Sequence, residues 1–250
     1  RPAYDMVVQA RGGVMSITGE AGRDPVRVGA SIGDIVAGMY LVQGLLAALI
    51  DREKTGQGRK IDIAMLDSQL AILEHAVAIT TATGQPPAPT GARHPSITPF
   101  ETFHAADGLF VIAAGNDALF TRLCEVLGLP LVQDPRFATN GARCENARTL
   151  KRLIEAITLD QPKAYWIERL EAAGVPTGPI QNVAEVLQDR QILARNMVVD
   201  VLDTYGAPAF VSAGNPIKIS GIEDPATRGP APALDADRTE ILNWLDASRS

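Results

Sequence analysis

The pair Gly33-Asp34 stands immediately before a long apolar run that reaches Leu49. An aspartate beside a glycine at the head of such a run marks a helix start, as an N-cap or a first-turn residue. A carboxylate there also suits anionic chemistry. The partial positive charge of a helix N-terminus favours a negative group. Its free amides can stabilise an oxyanion. From the pattern alone, plain capping is the commoner role of such an aspartate. Tyr4 is a packing aromatic or part of a site wall. Its hydroxyl, with an ordinary pKa of about 10, is a poor proton acceptor at neutral pH. Gln9 supports the same wall or is a surface polar residue. Arg93 and His94 lie in the segment 91–99. They can contact a carboxylate by charge-assisted hydrogen bonds, or be solvated linker groups.

Other reactive residue types carry less. Glu74 and His75 fall on a predicted helix, and nothing in the sequence pairs His75 with a nucleophile. Asp62 alternates with Ile61 and Ile63, as the polar face of a strand does. Cys124 and Cys144 form no CxxC pair, and the three histidines show no zinc spacing, so no metal is expected. Two free thiols suit a reducing compartment. The first residues carry no apolar signal-peptide core, which points to the cytoplasm. The stretch 35–50 is shorter than the roughly 20 residues of a membrane span and reads as a buried helix. A net charge of −6, with both signs interspersed, argues against nucleic acid as a partner. Hydrophobic content of 46% is enough for a packed core.

The elements that must position these residues read as α/β. Val26–Val28 and Lys60–Ala64 look like strands. The run from Asp34 to Leu49 and the segment 66–81 look like helices. Strand, helix, strand, helix suggests a parallel sheet. Five prolines and two glycines in 84–99 mark a linker or active-site loop. Beyond it, 100–103 and 109–114 read as a hairpin turning at Asp107-Gly108. Helices are predicted over 118–127, 146–157, 163–173 and 183–189. Short strands are predicted at 197–202, 209–211 and 217–219, and a last helix at 239–245. The domain reading is 1–85 for the catalytic part of a large α/β domain and 86–99 for the loop. A small α+β domain over 100–190 and a return to the large domain over 191–250 complete it.

Several stretches together resemble the family III (CaiB/BaiF) CoA-transferases. They include Tyr4-Asp5 with Gln9-Ala10-Arg11-Gly12-Gly13, Ser16 to Glu20, and Val28 to Asp34 followed by Ala37-Gly38. Arg52 to Gly58, Gly115-Asn116-Asp117, Asp134 to Phe137 and Ala173 to Pro179 continue the series in family order. The resemblance covers nearly the whole chain. It implies a Rossmann-like large domain, a smaller inserted domain and an interlocked homodimer. It implies coenzyme A as the acyl-CoA substrate, with no membrane or nucleic-acid partner. It makes Asp34 the nucleophile, passing through an acyl-aspartyl anhydride and an aspartyl-CoA thioester to a carboxylic acid acceptor. Tyr4, Gln9, Arg93 and His94 become residues lining the substrate and CoA site. The related α-methylacyl-CoA racemases carry a histidine where Tyr4 stands, so racemisation is the weaker alternative. Family chains are longer at the N-terminus, where much of the CoA grip lies. A non-catalytic fragment is therefore a third reading.

Overall fold

A computed structural model describes residues 2–247 of the chain. Residues 1 and 248–250, the outermost positions of the expected domains, lie outside the described residues. The chain divides into two compact units, Arg1–Pro179 and Ile180–Ser250.

The first unit opens with helices. α1 is Asp5–Arg11, followed by a 3₁₀ turn at Val14–Ile17. α2 is Ile32–Thr55, α3 is Met65–Ala71 and α4 is Glu74–Thr83. α2 stops at Gly56, whose φ of 71° is the left-handed conformation that ends helices. The predicted helix 66–81 is two helices. They break at Ile72–Leu73, where the Leu73 amide bonds back only three residues, to Leu70. α1 closes against α3 through Gly12. A Cβ at Gly12 would sit 2.5 Å from the Gln69 Cβ and 2.9 Å from the Val8 carbonyl, so only glycine allows the approach.

α2 corrects two expectations. It has 24 residues, so length is no argument against a span. It is also largely bare. Ile35, Met39, Val42, Leu46, Leu49 and Ile50 recur at helical spacing and are all exposed. Burial needs a covering element, and none lies on this stripe among the described residues. The other face, with Tyr40, Gln43, Gly44 and Ala47, shares a groove with Ile63, Asp67 and Ser68. The two predicted strands share this lack of a partner. Val26–Val28 and Lys60–Ala64 form no strands. A strand exists only by its ladder, and no described residue pairs with them.

The rest of the first unit is a hairpin covered by helices. β1 (Phe100–Ala105) and β2 (Gly108–Ala113) are antiparallel, and β3 (Thr177–Pro179) extends the sheet antiparallel on β2. The hairpin turns at Ala106-Asp107, one residue earlier than expected, because Gly108 already pairs with Ala105. The Asp107 carboxylate is used elsewhere. It accepts the Lys163 amide at 2.7 Å, at the start of α8. α5 (Asp117–Leu127), α6 (Asn140–Glu145), α7 (Ala147–Thr158) and α8 (Lys163–Ala172) follow β2 in the chain. Phe103, Phe110, Ile112, Phe120, Leu150 and Leu170 are central to one buried core. Alternate residues of β1 and β2 point into it, as a half-buried sheet requires.

Arg143 on α6 knots this region together. Its side chain is 1% exposed. It donates to the carbonyls of Thr98 at 2.8 Å and Phe137 at 3.0 Å, and to the Asp117 carboxylate at 2.6 Å. The guanidinium also lies 4.5 Å from the Phe120 ring centre, a cation–π distance.

The second unit holds α9 (Val183–Val186), α10 (Arg190–Ala194), β4 (Val198–Leu202), β5 (Pro208–Ala213), β6 (Thr227–Arg228) and α11 (Arg238–Ala247). The strand order is β5-β4-β6, antiparallel on one side and parallel on the other. This is the one parallel ladder among the described residues. The expected strand 217–219 is absent. There the Ile217 amide turns to the Asn215 side chain instead.

Two expectations follow. Expressed alone, the 250-residue chain self-associates through the bare stripe of α2, and Val42→Glu with Leu46→Lys shifts it toward monomer at unchanged helicity. Size exclusion with light scattering reads this, and a clean monomer peak from the parent chain contradicts it. Arg143→Leu strands the Thr98 and Phe137 carbonyls in the core. At about 1–3 kcal/mol for each unmade buried bond, urea unfolding should show a loss of about 2–5 kcal/mol.

Candidate active site

The site is built around the start of α2. Ser31 holds the N-cap position but makes no side-chain cap. Asp34 is the third helical residue, in the first turn, and is exposed. The first amides of a helix have no partner inside it. Here the Ile32 amide turns to the Ala30 carbonyl at 2.8 Å. The Gly33 amide is taken by Asp5 Oδ1 at 2.8 Å, from the first turn of α1. The Asp34 amide donates to no described group, so it stays available on the face that carries the carboxylate.

Gln9 is fully buried, which sets aside its reading as a surface polar residue. One turn along α1 from Asp5, its Nε2 donates to Asp5 Oδ2 at 2.9 Å. Its Oε1 accepts the Val28 amide at 2.8 Å. The loop 27–33 is thus held from behind by α1. Arg27 adds to this with bonds to the Val28 and Gly29 carbonyls, and it stands 4.0 Å from Asp5. Glycine at position 33 lets the Asp5 carboxylate approach closely. A Cβ there would sit 3.0 Å from Asp5 Oδ1. Tyr4 is the N-cap residue of α1 and 84% exposed.

Arg93 and His94 form a separate group. No hydrogen bond or ion pair among the described residues joins them to Asp34, Tyr4 or Gln9. The His94 ring accepts the Ser96 amide at 3.2 Å and stacks on Phe100 with centres 5.3 Å apart. Arg93 is half-buried and unpaired. It lines a polar cleft of about 680 Å³ with Glu101, Glu145, Arg148 and Lys151. The segment carrying both residues is pinned. Gly91 donates to the Gly19 carbonyl at 2.9 Å, and the His94 amide donates to the Phe100 carbonyl at 2.9 Å. Asn140 holds it at two points, donating to the Ser96 carbonyl at 2.8 Å and accepting the Thr98 amide at 3.1 Å. A segment held this way is not a loose linker.

Asp5, Arg27 and Arg143 are the residues that sequence reasoning passed over. Asp5 stood in the quoted motif beside Tyr4, yet its partner is 28 positions away. No local pattern signals that pairing. His75 lines a small pocket with Ile17, Leu73, Ile79, Pro87 and Pro95, the last of these next to His94. Among the described residues no cluster of His, Cys, Asp and Glu could hold a metal.

A family profile described as CoA-transferase family III matches residues 1–238. The chain belongs to that family. It is 44% identical over 236 residues to an acetyl-CoA:oxalate CoA-transferase of Acetobacter aceti, covering 94% of this chain and 59% of that protein. It is 36% identical over 244 residues to a succinate–glutarate CoA-transferase of Agrobacterium fabrum, covering 97% of this chain and 60% of the relative. A crystal structure of a CaiB/BaiF family protein from Brucella suis superposes with a TM-score of 0.82 at 36% identity. That match covers 98% of this chain and 63% of the other. The chain therefore spans about 60% of the length of the curated relatives it matches.

Cys144 lines the polar cleft with Arg93, whereas Cys124 does not. Cys124 is packed in the hairpin core, and burial pushes its thiol up to about 11. At pH 8 about one thousandth of such a thiol is the reactive thiolate. Half-buried Cys144 is therefore expected to take iodoacetamide first, with Cys124 labelled only on unfolding. Peptide mass mapping against time, with and without urea, checks the order.

Proposed function

We propose that the protein is a CoA-transferase moving CoA from an acyl-CoA donor to a carboxylic acid acceptor, with Asp34 as nucleophile. The observation that carries this is the exposed Asp34 carboxylate at a helix start whose preceding amide is held by Asp5. Family membership supports it over the aligned length. The Asp34 carboxylate oxygen attacks the donor thioester carbonyl. The carbon–sulfur bond breaks, and CoA leaves as thiolate from an acyl-aspartyl anhydride. The thiolate attacks the aspartyl carbonyl, releasing the donor acid and leaving an aspartyl-CoA thioester. The acceptor carboxylate then expels the thiolate and forms a second anhydride. Attack of the thiolate on the acceptor acyl carbon yields the new acyl-CoA and frees Asp34. Two easier exchanges replace one hard one. Oxygen anions form at each addition, and the open Asp34 amide at the head of α2 is suited to donate to them.

Tyr4 lines the front of this space in our reading. A tyrosine stands where the related racemases carry a histidine, which disfavours racemisation. Gln9 holds the wall from behind. Arg93, an unpaired cation in a polar cleft, is our choice for contact with an acceptor carboxylate, with His94 as its stacked support. The two relatives above are named for oxalate and glutarate, which supports a small dicarboxylic acid as acceptor. We place the covering of the α2 stripe, the ladder partners of 26–28 and 60–64, and more of the CoA grip in the length that the relatives have beyond this chain. With them the α/β part becomes a Rossmann-like domain, and two copies an interlocked dimer.

The test is intact mass after incubation with acyl-CoA, on a chain carrying the relatives' full length. The parent is expected to gain a hydroxylamine-sensitive adduct that Asp34→Ala lacks. An adduct that survives Asp34→Ala rejects Asp34 as the nucleophile.

A further inference from the structure

The hydrogen bonds behind Asp34 converge on Asp5. Asp5 offers two acceptor oxygens. One takes the Gly33 amide at 2.8 Å and the other takes the Gln9 amide group at 2.9 Å. Gln9 then accepts the Val28 amide at 2.8 Å, with its Nε2 also 3.5 Å from the Ala30 carbonyl. Both ends of this relay finish on the backbone of loop 27–33. The Asp5 side chain is 12% exposed and Gln9 is 0% exposed, so water cannot easily replace either link. A helix normally takes its cap from its own N-cap residue. α2 takes its cap from another helix, and the capped amide belongs to the residue before Asp34.

We propose that Asp5, acting with Gln9, is a positioning residue for Asp34. It fixes the first turn of α2 from outside the helix and so sets where the reactive carboxylate stands. This rests on the reading of Asp34 as nucleophile. A displacement of about 1 Å at a reacting group can cost roughly 100-fold in rate. A side chain that holds the neighbouring peptide can therefore control the chemistry without touching substrate.

The direction of the bonds supplies the test. Asp5→Asn sets an NH₂ group against either the Gly33 amide or the Gln9 amide group, both donors. Gln9 cannot turn over to help, because its NH₂ would then face the Val28 amide. Gln9→Glu alone sets two carboxylates against each other. The double variant Asp5→Asn with Gln9→Glu restores every strong link, with polarity reversed only between positions 5 and 9. The new amide at position 5 accepts from Gly33 and donates to position 9, whose carboxylate accepts from Val28. Shape and total charge are unchanged.

The experiment uses the full-length protein, with rapid-quench intact mass over a range of acyl-CoA concentration and thermal melting alongside. Each single variant is expected to lose about 10–100-fold in maximal rate of Asp34 adduct formation. The half-saturating concentration should move less than about 3-fold, as for an interaction made in the transition state. The double variant is expected to regain at least about 10-fold of that rate. Single variants that react at the parent's rate overturn the proposal, and so does a double variant no faster than the singles. Rate losses that only follow the melting temperature across all three also overturn it, because they indicate a purely structural role. A parent that forms no Asp34 adduct sinks the reaction itself and the positioning role with it. A reacting parent beside an equally fast Asp5→Asn sinks the positioning role alone.

Discussion

A carboxylate that caps a helix it does not belong to is the constraint on which this molecule is arranged. Asp5 does so for α2, and Asp107 does so for α8. In each case the helix lacks a side-chain cap of its own: Ser31 makes no bond, and Pro162 has no group to offer. A local cap fixes only where a helix begins. A distant cap also fixes where that helix lies relative to another element. At α2 the consequence is chemical, since the capped amide is one peptide from Asp34. Gly12 and Gly33 fit the same scheme, because both let backbone approach side chains that a Cβ would push away.

Much of the small α+β region was legible in the sequence. The alternation of β1 and β2, the Asp-Gly signal and the periodic helices each depend on neighbours within a few residues, and they appear with small boundary shifts. Asp34 was legible for the same reason, since its place before an apolar run is a local feature. Gln9 was left open because its partner Val28 lies 19 positions away, although Asp5 stands one helical turn before it. Arg143 was invisible. An arginine in a short polar segment looks like surface, and only the fold brings the Thr98 and Phe137 carbonyls to it.

The errors share one physical cause. The segments 26–28 and 60–64 have strand character and α2 has core character, yet each property is completed by something outside itself. Strands need ladders and apolar stripes need covers. The chain spans about 60% of its relatives' length, and these three segments lie within residues 26–64. Gln69, buried with both amide ends unpaired, lies against the same α1 helix and carries the same sign of incompletion.

That imbalance bears on the order in which the protein gains its resistance to cleavage. Residues 100–179 enclose their own core from Phe103 to Val175. Before residue 98 the buried apolar side chains are only Val8, Val14 and Val36 among the described residues. Local opening is easiest where few apolar contacts must break. The hairpin region can therefore close as soon as its own chain is made. Resistance to cleavage is therefore greatest in the hairpin region and least along the helix that bears Asp34, where few apolar side chains are buried among the described residues.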